Sequence, residues 1–378
     1  MTNGAENKKK AKAREPLFHV ARRASMPVWQ AWLIRVAAFA AAMIFCGLLA
    51  FLLIKSVREN PASVKDFYWS FIKGSFSTPR KIFKFLKDTS VLLCIALAVT
   101  PAFRMKFWNI GAEGQTLVGV LASIAVAFYL GGKIPEWQLL ILMFLAALLA
   151  GAVWAFIPAL FKAKWNTNET LFTLMMNYVA TFLVSYCLLK WVPSGSSSLG
   201  KLKYGALPMV TAPKIGNTYL PILIIAVVMT AALYVYLYNG KHGYEISVVG
   251  GSENTARYVG INVKKVVIRT MIISGALCGL AGYMIAAGLD QTVTPDSVGG
   301  QGFTAIIVSW LAHFNPLFMV ITAALVIFLQ QGASQISQVF DISGDFPNVV
   351  VGVILLFIIG SEFFINYRIV RTEKKEGK

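Results

Sequence analysis

Long apolar runs without an internal charge decide what this chain can fold into. Leu139 to Phe161 reads LLILMFLAALLAGAVWAFIPALF, and Val349 to Gly360 with its apolar flanks is of the same kind. A helix crossing a bilayer needs about 20 such residues. Lipid offers no partner for backbone amides and carbonyls, so these runs must close their hydrogen bonds internally, as helices. Only 14% of the chain is charged and 57% is hydrophobic, against roughly 25% charged in a soluble domain, and the apolar excess is too large for an ordinary core. An all-α, polytopic membrane protein follows.

Ten membrane segments are expected, at about 32–54, 89–105, 114–131, 138–161, 169–190, 219–238, 269–288, 303–313, 317–331 and 347–365. An even count puts both termini on one side. Of the 35 Lys and Arg, 22 fall on the side of the termini and 13 on the other, so the positive-inside bias makes both termini cytoplasmic. Residues 55–88 dissent, with eight basic residues on the outer side; their pattern FYWSFIKGSF and RKIFKFLK reads as an amphipathic segment on the interface. The chain divides into a basic cytoplasmic N-terminal arm (1–31), expected to be disordered over Met1 to Pro27, a membrane domain (32–366) containing a cytoplasmic coupling loop (239–268), and a basic cytoplasmic tail (367–378). No small-residue cleavage site follows the first apolar run, which is read as a retained helix. The formal charge of +18 belongs to the anionic membrane surface, not to nucleic acid.

The eighth segment, FTAIIVSWLAH, is too short to span and is stopped at His313-Phe-Asn-Pro316. A broken or re-entrant helix is expected there. Segments 2–5 and 7–10 then form two units of opposite orientation, each with a glycine-rich interruption after its first helix: NIGAEGQ at 109–115 and TPDSVGGQGF at 294–303. Matching interruptions in inverted halves point to a pathway near the midplane. In the first, Asn109 is placed to cap the following helix and Glu113 falls in its first turn. Two readings of Glu113 stand side by side, a structural cap for a broken helix and a pathway group. Gln301, among the glycines of the second interruption, is placed near a substrate.

Along the fifth segment Glu169, Thr173, Asn177, Thr181 and Ser185 recur every four residues, a slowly winding polar row that either lines a pathway or bonds helices together. Residues 240–270, GKHGYEISVVGGSENTARYVGINVKKVVIRT, form the most informative loop. Gly250-Gly251-Ser252 is read as a turn and N-cap, followed by a short helix ENTARYV closed by Gly260. So small a helix suits a peg that docks into a partner, or else a plain surface turn. The four cysteines (Cys46, Cys94, Cys187, Cys278) fall in spans as apolar fillers, without metal or disulfide spacing. No catalytic constellation is present among His19, His242 and His313 and the carboxylates, and no metal site. Ser297-Val-Gly-Gly-Gln301 resembles the signature of ABC ATPases, but no phosphate-binding loop accompanies it.

Taken together, NIGAEGQ (109–115), NETLFTLMMNY (168–178) and GYEISVVGGSENTARYVGINVKKVVIRTMIISGALCGLAG (243–282) resemble the permease subunits of ABC importers for branched-chain amino acids, ribose-type sugars and nucleosides. The first two stretches are similar to the nucleoside-type members, and the likeness runs over about residues 88–365. The resemblance implies a non-catalytic bacterial plasma-membrane permease for nucleosides, without cofactor of its own. It implies a pair with a second, related permease, two ATPase subunits that bind the ATP, and an extracellular substrate-binding lipoprotein. It assigns ATPase coupling to Gly251, Glu253, Asn254, Ala256, Arg257 and Gly260, and the substrate pathway to Asn109, Glu113, Gln115, Asn177 and Gln301. A sugar or branched-chain amino acid permease is the alternative within the family. An ion-coupled secondary transporter shares broken helices and inverted halves but has no use for a docking peg.

Overall fold

Closure of backbone hydrogen bonds inside each segment dominates the computed structural model, which describes residues 18–23, 26–53, 62–192, 199–208, 210–212, 216–218, 220–342 and 346–371. Among them are thirteen α-helices and four short strands. Residues 1–17 of the basic arm, 54–61 of the expected interfacial segment and 372–378 of the tail lie outside the described residues. Eight helices are long and apolar enough to cross a membrane. Each of the ten expected segments falls on a helix.

The chain divides into two units, Met1–Tyr68 with Ser337–Lys378, and Trp69–Ile336. In the first, α1 (Val28–Leu53) packs on α13 (Phe346–Asn366). Ala42, Cys46 and Ala50, one turn apart, form the buried stripe of α1. Arg35 and Glu362 close an ion pair of 2.8 Å between the two helices, so neither charge stands alone in its apolar surroundings. The N-terminal arm is not featureless: β1 (Phe18–Arg22) pairs antiparallel with β4 (Tyr367–Arg371), from Phe18 opposite Arg371 to Arg22 opposite Tyr367. Composition misses this ribbon because it is made by two segments more than 340 residues apart. The pairing sets residues 18–22 beside 367–371.

Two helices run from one unit into the other, α2 (Ala62–Phe76) and α12 (Pro316–Phe340). The second unit is built around α3 (Pro79–Arg104), whose residues from Thr89 to Phe103 are all buried. This helix starts ten residues before the expected segment. Thr78 caps it, accepting from the Lys81 amide at 3.4 Å, and Pro79 fits the first turn, where no amide is needed. The RKIFKFLK stretch therefore forms the first turns of α3 and not a separate element.

The unit also holds α4 (Ala112–Leu130), α5 (Glu136–Trp165), α6 (Glu169–Trp191), α7 (Leu220–Tyr238), α10 (Val263–Met284, prolonged by a π-helical turn to Asp290) and α11 (Gln301–Leu311), of which α7, α10 and α11 pack on α3. Between α6 and α7 lies a hairpin of β2 (Val210–Ala212) and β3 (Gly216–Thr218). As expected, α11 is short, at 11 residues or about 16 Å. It ends where His313 and Phe314 take left-handed φ of 49° and 57°, before Pro316 opens α12.

The most extensive helix packing is α10 against α5. Lipid tails are as apolar as leucine, so close backbone approach must supply the attraction between such helices. Gly275 and Gly279, four residues apart on α10, present bare backbone to Gly151 and Ala147 of α5, and a Cβ at Gly279 would run into the Ala147 carbonyl oxygen. Substituting Gly279→Leu should lower the melting temperature of the detergent-solubilised protein by several degrees, since overpacking against backbone costs about 1–3 kcal/mol or more. Gly352→Ala on α13, where a Cβ meets nothing within 4 Å, should be neutral or slightly stabilising in the same melt.

Candidate functional site

An unwound stretch between two membrane helices leaves backbone groups that must find side-chain partners. Between α3 and α4 those partners come from α6 and from the stretch itself. Thr173 Oγ accepts from the Ile110 amide at 3.2 Å, and the Asn177 side chain donates to the Ile110 carbonyl at 3.0 Å and accepts from the Gly114 amide at 2.9 Å. Asn109 and Gln115 pair amide to amide at 3.0 and 3.2 Å, and Asn109 also donates to Ser274 on α10 at 3.4 Å. All four side chains are buried.

Asn109 does not cap α4 as expected. Gly111 occupies the cap position without a side-chain bond, and Asn109, two residues earlier, accepts from the Gly111 amide at 3.1 Å. The polar row of α6 divides. Thr173 and Asn177 hold the break, Thr181 and Ser185 bond back to carbonyls of their own helix, and Glu169 pairs with Lys162 at 2.9 Å.

Glu113 joins the first break to the second. It lies in the first turn of α4, as expected, but its oxygens accept from the Gly300 amide at 2.8 Å and the Gly302 amide at 2.7 Å. Gly300, the residue before α11, has φ of 75° and no capping side chain of its own. The carboxylate of one broken helix thus caps the other, where the helix dipole favours a negative charge. Gly302 lets the two backbones approach, since a Cβ there would lie 2.6 Å from Glu113 Cα. The five residues assigned to the pathway are brought together at the meeting of the two breaks. Four of them are spent on bonds that hold the breaks. Gln301 differs, its buried Oε1 having no hydrogen-bond partner among the described residues.

A second constellation lies between α7 and α10, where sequence reading expects a loop with one short helix. Two helices stand there, α8 (Lys241–Gly251) and α9 (Glu253–Tyr258), and α10 begins at Val263, six residues before the expected segment. Gly243, Ile246, Val249 and Gly250 are the buried positions of α8, a helical spacing already legible in GYEISVVGG. Gly250 is not in a turn: it ends α8 in close approach, where a Cβ would strike the Arg104 carbonyl oxygen at the end of α3. Ser252 caps α9 as expected, accepting from the Thr255 amide at 3.3 Å, and Gly260 closes it with φ of 81°.

Within α9, Ala256 is fully buried and anchors the turn, its carbonyl accepting from the Ile261 amide at 2.9 Å. Glu253 and Arg257 form an exposed pair at 3.4 Å, Asn254 is exposed, and Tyr258 is 92% exposed. Gly251 has open space around it. Sequence reading misses what fixes α8 in place. Glu245 pairs with Arg269 of α10 at 2.7 Å, and that guanidinium holds the Glu245 carboxyl below the ordinary value of 4.5. The Arg104 guanidinium lies 4.6 Å from the Tyr238 ring centroid.

A family model described as "Branched-chain amino acid transport system / permease component" matches residues 81–359. Among characterised relatives, the glucose ABC transporter permease protein TsgB13 of Haloferax volcanii is 32% identical over 74% of this chain and 76% of its own length. The guanosine ABC transporter permease protein NupP of Bacillus subtilis is 29% identical over 88% of this chain and 95% of its own. The nucleoside ABC transporter permease protein NupB of Lactococcus lactis is 27% identical over 84% and 88%.

Charge-assisted bonds of the Glu113 kind contribute about 1.5–3 kcal/mol each. Glu113→Gln, which keeps one acceptor, should therefore melt above Glu113→Ala. Gly114→Leu should melt lowest, because a Cβ at Gly114 already stands 2.9 Å from Asn177 Cα; thermal melts of purified variants check the order. The Glu245 carboxyl is depressed on folding, so its contribution is complete above about pH 4.5 and is lost as the pH falls through the folded value. Glu245→Gln should flatten that acid limb of the melting temperature.

Proposed function

This chain belongs to the family of permease components of branched-chain amino acid transport systems, and from that premise we propose that it carries nucleosides through a path at the two helix breaks, driven by an ATPase that docks on α9. As a member it is a multi-pass permease subunit of an ABC importer, a transport component without catalysis of its own. Support for the nucleoside reading comes from two relatives named for guanosine and nucleoside transport, and from the resemblance of NIGAEGQ and NETLFTLMMNY to nucleoside-type members. Glucose is the second reading, favoured by the Haloferax relative.

The observation that carries the coupling role is the placement of α9. It presents Tyr258 and the Glu253–Arg257 pair to solvent while Ala256 is fully buried. Behind it, α8 rests Gly250 on the Arg104 carbonyl, and the chain reaches Asn109 five residues later. A pull on α9 is therefore handed through packed backbone to the break that Glu113 ties to α11, a contiguous route of the kind coupling requires. Gly251, Glu253, Asn254, Ala256, Arg257 and Gly260 shape and present this docking helix. Gln301 is the pathway residue with an acceptor to offer a passing polar solute, and Asn109, Glu113, Gln115 and Asn177 hold the walls around it.

The chain works as one of two related permeases, on two ATPase subunits that bind the ATP, and receives its solute from an extracellular binding lipoprotein. The excess of Lys and Arg on the side of the termini supports a cytoplasmic placement for both ends, for α8 and for α9. The domain division is then a basic N-terminal arm to residue 31, the permease domain over 32–366 with its coupling segment at 239–268, and a basic tail over 367–378. Segments 2–5 and 7–10 form its inverted halves.

Replacing residues 252–259 by a Gly/Ser linker should abolish co-purification of the ATPase and ATP-dependent uptake while leaving the permease in the membrane. Transport that survives this replacement and needs no ATP would overturn the coupling role. Uptake of radiolabelled guanosine, glucose and leucine by cells with and without the gene decides the substrate. A gene-dependent signal for glucose alone would reverse the nucleoside assignment.

A further inference from the structure

Between α7 and α10 lies an apolar groove of about 540 Å³, and it is built from one helical face. Ile224, Val228, Ala232 and Tyr236 line it at four-residue spacing on α7, and Ile273 and Leu277 face them from α10. From Ile224 to Tyr236 the groove runs about 18 Å at 1.5 Å per residue, close to the depth of one leaflet in a hydrocarbon core of about 30 Å. Val228 and Ala232 are exposed along it.

The two ends differ in chemistry. The Phe144 end is hydrocarbon, whereas the other closes on Tyr236, with the Arg269 guanidinium beside its hydroxyl. The Tyr236 oxygen and Arg269 Nε are both buried; among the described residues neither has a partner in good hydrogen-bond geometry, although the guanidinium lies beside that hydroxyl and its other nitrogen pairs with Glu245. Lys241 and His242 open α8 at the same end, the His242 ring 5.8 Å from that of Tyr236. Glu245 neutralises one cation through its pair with Arg269, which leaves Lys241 in excess.

We infer that this groove is a binding site for one anionic phospholipid of the leaflet on the α8 side, its acyl chain along α7 and its phosphate at Tyr236, Arg269 and Lys241. A basic pocket between membrane helices suits such a headgroup. The length of the groove, its apolar wall and the Tyr236 hydroxyl, Arg269 guanidinium and Lys241 ammonium at one end together match an acyl chain joined to a phosphate. The inference is independent of which solute is carried.

The test is native mass spectrometry of the purified, delipidated protein titrated with phosphatidylglycerol and, separately, phosphatidylcholine. The wild-type chain should retain one phosphatidylglycerol. Ala232→Trp, which fills the groove from an exposed position, should weaken retention about tenfold, equivalent to about 1.4 kcal/mol. Val228→Trp, also exposed, should do the same should the first variant fold poorly, with melting temperature as the check. Lys241→Gln should erase the preference for phosphatidylglycerol over phosphatidylcholine. Equal retention by the wild-type chain and both Trp variants overturns the site. Equal binding of the two lipids by the wild-type chain overturns the headgroup assignment. Crosslinking of Val228→Cys to a second protein chain in native membranes would show an interface there and overturn the inference as well.

Discussion

A carboxylate in the middle of an apolar chain is expensive unless its charge is met, and Glu113 is met by two backbone amides of a helix nearly two hundred residues away. The rest of the second unit is arranged so that this contact can exist. Helix α4 has to start late, after an unwound stretch, for its first turn to reach α11. Helix α11 has to begin at Gln301, with the amides of Gly300 and Gly302 left for the carboxylate. Asn109, Gln115, Thr173 and Asn177 hold the unwound stretch, which in lipid could not otherwise stand.

Behind this junction the structure relies on close backbone contact more than on bulky side chains. Gly275 and Gly279 draw α10 onto α5, and Gly250 sets α8 on the end of α3. The same economy of side chains serves two ends. In the bilayer it creates the attraction between helices that hydrophobicity cannot. At the end of α3 it creates a close contact, backbone on backbone, between α8 and the turn that leads into the first break.

Charges elsewhere follow one rule, that each cation near the membrane is placed where a partner or water can reach it. Arg35 meets Glu362, Lys162 meets Glu169, and Arg269 meets Glu245. Arg104, Lys164 and Lys190 lie instead over aromatic faces, those of Tyr238, Trp165 and Tyr186. The Lys162–Glu169 and Arg269–Glu245 pairs join helices that are neighbours in the chain or separated by one short helix. The Arg35–Glu362 pair and the β1–β4 ribbon are different in kind, since they join opposite ends of the chain.

The sequence by itself determined the helical class, the ten segments to within a few residues at most ends, both helix breaks and the cap and close of α9. The physical reason is that each of these is local: an apolar run of a given length, a Gly or Pro that permits or stops a turn, a Ser three residues before an amide it can accept from. It also placed Glu113 in the first turn of α4. What only the tertiary structure decided is where that carboxylate points. A helix start favours any nearby negative charge, and nothing in NIGAEGQ distinguishes the start of its own helix from that of α11. The same holds for Asn109, read as a cap and found bound to Gln115, for Gly250, read as a turn and found in a close contact, and for the strand at 18–22. Each depends on a partner distant in sequence, and one chain read along its length carries the residue types for such contacts but not the distances that make them.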